Sequence, residues 1–329
     1  MKATEQGIRA ARRGPSDPDL FCGVLALMNN ILIGTASWAD KSLVQCGRFY
    51  PAAAKSPEDR LKYYAQEFPI VEIDSSYYAI PNERAAQLWV ERTPERFVFD
   101  VKAFRLFTQH QTSPHVLPKD VLTALAPTKK MIYYRDLPEE LMAELWRQFR
   151  IALTRMRQAG KLGVVLFQFP PWFLANRESL AHIDECVERM AGFTLAIEFR
   201  NETWFYESRR ERTLAFERER GIAHVAVDEP KGFASCIPSV WEVTRPDIAM
   251  VRLHGRNRHT WDKAGLAAAS DRFNYIYNDD ELSELASSIK TMSENAHTVH
   301  VLLNTNYEDQ GQVNARRLSH IMRKAAVAV

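Results

Sequence analysis

The sequence predicts an α/β chain folded as a single (β/α)8 TIM-type barrel, open to distortion, with a long insertion after the third strand. Three observations carry this. Eight short runs rich in β-branched and aromatic residues recur along the chain, helical patterns separate most of them, and the runs are apolar nearly throughout. Strand–helix alternation with near-continuous apolar strands indicates a parallel sheet. Eight such units in a chain of 329 residues match a closed barrel.

The first run is ILIGT (31–35), and the helical pattern PEDRLKYYAQEF (57–68) leads to the second, IVEID (70–74). NERAAQLWVERT (82–93) then leads to RFVFDVK (96–102). The insertion follows, ending in the long pattern PEELMAELWRQFRIALTRMRQAG (138–160) ahead of GVVLFQF (163–169). TLAIEFR (194–200), IAHVAVD (222–228) and IAMVRLH (248–254) come next, and DDELSELASSIKTM (279–292) precedes the last run, TVHVLLN (298–304). Asp, Ser or Asn stands near the start of several helices, as capping residues do.

Side chains alternate faces along a strand, so each run divides by parity. Glu72 and Asp74 oppose Val71 and Ile73; Asp100 and Lys102 oppose Phe99 and Val101; Glu198 and Arg200 oppose Ile197 and Phe199. In the same way His224 and Asp228 oppose Val225 and Val227, Arg252 and His254 oppose Val251 and Leu253, and His300 and Asn304 oppose Val301 and Leu303. The helix-facing side should be apolar, which turns the polar parity into the barrel. The polar groups crowd toward the C-terminal strand ends, where such barrels place active sites. Buried ionisable groups are costly unless paired, so this convergence points to a ligand site, against an internal ion-pair network as the plainer explanation.

Composition narrows the function classes. The chain is 46% hydrophobic, and 43 basic residues face 41 acidic ones for a net charge of +2, which excludes a polybasic nucleic-acid protein in bulk. Cys22, Cys46, Cys186 and Cys236 are scattered with no C-x-x-C pair, suggesting a cytoplasmic thiol state. LFCGVLALM (20–28) is too short to span a bilayer, which takes about 20 residues. Met28 reads as a candidate natural start, leaving residues 1–27 as an N-terminal extension and 28–329 as the barrel domain.

IGTASW (33–38), FYP (49–51), VEIDSSYYAIP (71–81), FVFDVKAF (97–104), LFQFPPWF (166–173), AIEFRNETWF (196–205), VDEPKGF (227–233) and VRLHGR (251–256) resemble the successive motifs of the YecE-like family, also known as domain of unknown function 72. The resemblance covers about residues 31 to 328 and is specific because the motifs are collinear. It implies a TIM-type barrel and supplies no reaction. LLNTNYED (302–309) departs from the family's FNNNYED pattern, placing Thr305 where relatives carry an amide and putting any polar contact there in question.

Three chemistries fit the strand ends. Metal-assisted hydrolysis or isomerisation would need three or four groups from Glu72, Asp74, Glu198, Asp228 and His254 to converge. Arg200 and Arg252 would repel a cation, which disfavours a divalent metal without removing it, and no dinucleotide fingerprint or Walker loop calls for an organic cofactor. Paired carboxylates for glycoside cleavage would use Glu198 with Glu72 or Asp228, with Trp38, Tyr77, Tyr78, Trp172, Phe173 and Trp204 as stacking surfaces. Anion binding would use Arg252, Arg256 and Arg258 around Gly255.

The candidate catalytic residues are therefore Glu72, Asp74, Lys102, Glu198, Asp228 and His254. The candidate substrate-binding residues are Trp38, Tyr77, Gln168, Arg200, Trp204, Arg252, Arg256 and Asn304. His224 and His300, deeper in their strands, read as satisfied core histidines. The expected activity is acid–base chemistry, hydrolase- or isomerase-like, on a small polar molecule, anionic or sugar-like. The alternatives are a nucleic-acid or nucleotide binder using the HGRNRH loop (254–259), disfavoured by the net charge, and a non-catalytic scaffold.

Overall fold

Eight parallel strands close into one barrel in sequence order: β1 (Ile31–Ala36), β2 (Ile70–Ile73), β3 (Val98–Lys102), β4 (Leu162–Gln168), β5 (Leu195–Glu198), β6 (Ala223–Asp228), β7 (Ala249–Leu253) and β8 (Val299–Leu303). The computed structural model describes residues 30–206, 208–263, 265–266 and 269–327. The N-terminal extension, Cys22 and the apolar run at 20–28 lie outside them. Among the described residues no helix is long and apolar enough to cross a membrane.

Local signals explain the helix starts. Ser56 caps α2 (Pro57–Glu67) in a reciprocal box with Asp59, and Pro57 takes the first turn, where its missing N–H costs nothing. Asn82 caps α4 (Glu83–Glu91) and Asn176 caps α7 (Arg177–Arg189). Asn278 and Glu281 form a second capping box at the start of α9 (Asp279–Ser293). Two short helices, α1 (Lys41–Cys46) and α3 (Ser75–Tyr78), follow β1 and β2 directly. The insertion after β3 contains α5 (Lys119–Leu125) and leads into α6 (Glu139–Gln158), which buries Met142, Leu145, Trp146, Phe149, Leu153 and Met156 on one stripe. The chain finishes with α8 (Arg209–Glu219) after β5 and α10 (Gln310–Val327) after β8.

The distortion is specific. Every strand is followed by a helix except β6, whose connection to β7 over residues 229–248 is irregular throughout. This strap stands where a helix should cover the outer face of β6, and the composition of that strand reflects it.

Strand register shows which parity points inward. Ala36 pairs with Glu72, Glu72 with Asp100, Lys102 with Leu166, Gln168 with Glu198, and Arg252 with Leu302. Partnered residues in a parallel pair share a face, so Glu72, Asp100, Lys102, Gln168, Glu198 and Arg252 all line the interior. The expected parity holds for β2, β3, β5, β7 and β8.

It fails for β6, where Ile197 pairs with His224 and Val227 pairs with Arg252. Val225 and Val227 therefore fill the barrel, and His224 and Asp228 face outward. The rule of an apolar helix-facing side breaks here because the outer layer supplies polar partners: His224 Nδ1 lies 3.2 Å from Glu217 on α8, and its backbone N–H donates to Thr244 of the strap. His224 is a core histidine on the opposite face from the one expected, and it is only half satisfied: Nδ1 faces Glu217 while Nε2 is buried without a hydrogen bond. His300 is satisfied inside the barrel, 2.9 Å from Asp100.

Candidate functional site

At the mouth, β5 delivers Glu198 to the centre of the site. Its Oε1 accepts from Gln168 Nε2 at 2.6 Å, Arg200 Nη1 at 3.2 Å and His254 Nε2 at 3.1 Å, and its Oε2 accepts from Arg252 Nη1. The other edge of the Arg252 guanidinium forks onto Glu72, Nε and Nη2 each donating at 2.8 Å. This planar two-edged fit is what arginine provides and lysine does not. Asn304 donates from Nδ2 to His254 Nδ1 at 2.9 Å, which fixes the histidine as the Nε2–H tautomer donating to Glu198.

Glu72, Glu198, Arg252 and His254 form a sealed layer, each at most 1% exposed. Above it the site reaches solvent. The side chains of Asp74, Lys102 and Arg200 are 22%, 11% and 11% exposed, and Gln168 is half-buried. Lys102 Nζ stands 3.0 Å from Asp74 Oδ1 and 4.8 Å from the centroid of the Tyr77 ring. Arg200 lies over the Trp261 ring at 4.8 Å and approaches Glu229 Oε2 at 3.4 Å.

Burial and pairing split the protonation states. Burial alone would raise Glu198, but Arg252 and His254 overcome it and hold the carboxyl well below its usual range. Burial lowers His254 to about 4, leaving it neutral. Burial also pushes Glu72 up to about 7, with Arg252 opposing and Asp74 adding to the rise, and pushes Glu229 up to about 7 against the pull of Arg200. Two carboxyls poised near neutrality beside one held ionised is an arrangement suited to acid–base work. Among the described residues no group of three His, Cys, Asp or Glu stands in metal-holding geometry.

The family model described as protein of unknown function DUF72 matches residues 32–329. The chain belongs to the DUF72 family. The UPF0759 protein YunF of Bacillus subtilis is 32% identical over 294 residues, spanning 89% of this chain and 94% of the relative. A crystal structure of a DUF72 family protein from Enterococcus faecalis superposes with a TM-score of 0.72 at 26% identity, covering 89% of this chain and 95% of that one. One from Thermotoga maritima gives 0.67 at 26%, covering 91% and 100%.

In this DUF72 chain the mouth gathers Glu72, Asp74, Lys102, Gln168, Glu198, Arg200, Arg252, His254 and Asn304, with Tyr77 at its rim. Four predicted residues stand elsewhere. Asp228, turned outward, accepts Arg256 Nη2 at 2.8 Å and the Tyr277 hydroxyl at 2.8 Å. Arg256 spends its guanidinium on Asp228 and leans toward Glu281 and Glu284 of α9, so its anion-gripping position is occupied from within. Trp204 is core: it stacks on Phe199 at 4.0 Å and donates from Nε1 to the Phe173 carbonyl. Trp38 meets Trp89 of α4 edge-on and is buried.

Gly255, at φ 82°, lets the backbone pass Tyr275 rather than an anion. Thr305 keeps a polar contact, accepting from Asn314 Nδ2 at 2.9 Å. The mouth residue that sequence reasoning missed is Glu229. With Val227 inward, alternation puts position 229 inward as well, so the misassigned parity of β6 selected Asp228 in place of its neighbour.

Proposed function

We propose that this protein is an enzyme, hydrolase- or isomerase-like, acting by acid–base chemistry on a small polar molecule at the C-terminal mouth of the barrel. One observation carries the reading. A solvent-reaching layer of Asp74, Lys102, Gln168 and Arg200 lies directly on a sealed layer whose donors converge on one ionised carboxylate, Glu198. In this reading the sealed layer holds Gln168 and Arg200 in place, and the outer layer meets the substrate. Lys102 and Arg200 orient it, Asp74 stands beside it as an ionised carboxylate, and ionised Glu198 holds Gln168 and Arg200 from beneath. The site works without an organic cofactor in the cytoplasm.

Metabolites retained by the native protein, extracted and identified by mass spectrometry, test this reading. A small polar compound should co-purify with the wild type and fall at least tenfold with Lys102→Ala. Equal retention by both proteins, or none by either, overturns the proposal. The nucleic-acid alternative loses support because Arg256 is engaged by Asp228.

A further inference from the structure

The unsatisfied hydrogen-bonding atoms of the mouth say what kind of molecule would complete it. Arg200 Nε is buried without a hydrogen bond, as is Arg105 Nε beside Tyr77 at the rim; Asp74 Oδ1 and Glu229 Oε2 also lack one and have only ion-pair contacts, with Lys102 Nζ at 3.0 Å and Arg200 Nη2 at 3.4 Å. Buried polar atoms without partners are rare in native proteins and call for an explanation. Arg200 Nε can only donate, so it needs an acceptor. Asp74 Oδ1, beside Lys102, can take a second donor, and Glu229 Oε2, beside Arg200, can take one when ionised and needs an acceptor when protonated. A hydroxyl is the common group that serves all three, because it donates and accepts at once, whereas an ammonium only donates.

The charges point the same way. Arg252 is shared by Glu72 and Glu198, Arg200 by Glu198 and Glu229, and Lys102 belongs to Asp74. Each of these three cations is already held by a carboxylate, and four carboxyl groups stand against them, while Arg105, over the Tyr77 ring at 5.3 Å, lies outside these pairs. Binding a phosphate would pull a cation away from a buried carboxylate, which is costly.

The rim adds a surface of matching kind. His110 stands edge-on to Tyr77 at 5.3 Å and to Trp172 at 5.6 Å. Trp172 is 62% exposed, and burial, with Lys102 and Arg105 nearby, keeps His110 neutral. An aromatic wall above unsatisfied polar atoms suits a ring with an apolar face and hydroxyl edges.

We propose that the mouth takes an uncharged, hydroxyl-rich ring of the monosaccharide class, with Asp74, Arg200 and Glu229 receiving its hydroxyls and Trp172 covering one face. This rests on the mouth being a small-molecule site, and it selects the sugar-like over the anionic substrate.

Thermal unfolding of the full chain tests it, in millimolar D-glucose, D-galactose, D-mannose, D-ribose, D-ribose 5-phosphate and inorganic phosphate. At least one neutral sugar should raise Tm in a concentration-dependent way. The concentration needed should rise at least tenfold in Asp74→Ala and in Trp172→Ala, the latter a largely exposed position. Stabilisation by the phosphates alone overturns the sugar assignment and leaves the mouth as a small-molecule site. Sugar effects unchanged in both variants overturn it too, because the sugar then binds elsewhere. Silence from every probe overturns both readings.

Discussion

Glu198 shows what a single residue is asked to do in this barrel. It is fully buried and ionised, and partners from β4, β7 and its own strand end surround it. Removing it leaves Arg252 and Arg200 each short of a counter-charge in a sealed layer. Glu198→Ala should therefore cost about 3–5 kcal/mol of stability, read by urea denaturation with an unchanged m-value. His254 gives a pH signature of known sign. Its folded pKa is depressed to about 4, below the unfolded value of about 6.5, so the unfolded chain binds more protons between these values. The neutral histidine thus contributes a stability that is lost as pH falls from 6.5 to 4. His254→Asn escapes that loss, so the cost of the substitution should shrink over this window by on the order of 2–3 kcal/mol. A constant cost from pH 7 to 4 would show that His254 keeps an ordinary pKa.

At the scale of elements, the eight strands and the main helices were legible because hydrophobic period and capping residues are local signals. The capping box at Asn278 and the stripe on α6 stand in the chain as plainly as in the fold. Facing was legible wherever polar residues had no partner outside the barrel. It misled in β6, because the partners of His224 and Asp228, namely Glu217, Arg256 and Tyr277, come from segments up to 49 residues distant. The same distance hid the fates of Arg256 and Trp204, whose residue types alone suit a ligand site. The loop after β7 is pinned by this outer cluster: the Tyr277 hydroxyl accepts the Gly255 N–H at 2.8 Å and donates to Asp228. A Cβ at Gly255 would lie 2.5 Å from Tyr275 Cβ, on a backbone already at positive φ. Gly255→Ala should lower stability by about 1–3 kcal/mol and shift Tm down further than Gly265→Ala, which shares the positive φ but has open space around it.

For the whole molecule, closure of the barrel is what makes the mouth possible. Arg252 of β7 reaches Glu72 of β2 across 180 residues of sequence, and the joining of β8 to β1 completes the ring between them. No short segment carries that contact, which is why strand parity exposed the convergence of charges while the individual pairings waited for the closed fold. The connection from β6 to β7 gives the ring a weak quarter. Residues 229–248 lack helical hydrogen bonding, held by ties such as the Cys236 amide on Phe233 O and the Ile237 amide on Glu229 Oε1. Local opening follows such sparse bonding. In hydrogen–deuterium exchange, amides of 229–248 should therefore label well before those of α6 and α9, and uniform protection around the ring would contradict this. Because Glu229 belongs to that segment, each local opening would carry one wall of the mouth with it. The missing helix thereby makes the strap a reporter: a molecule that ties Glu229 down would be seen first as a slowing of exchange there.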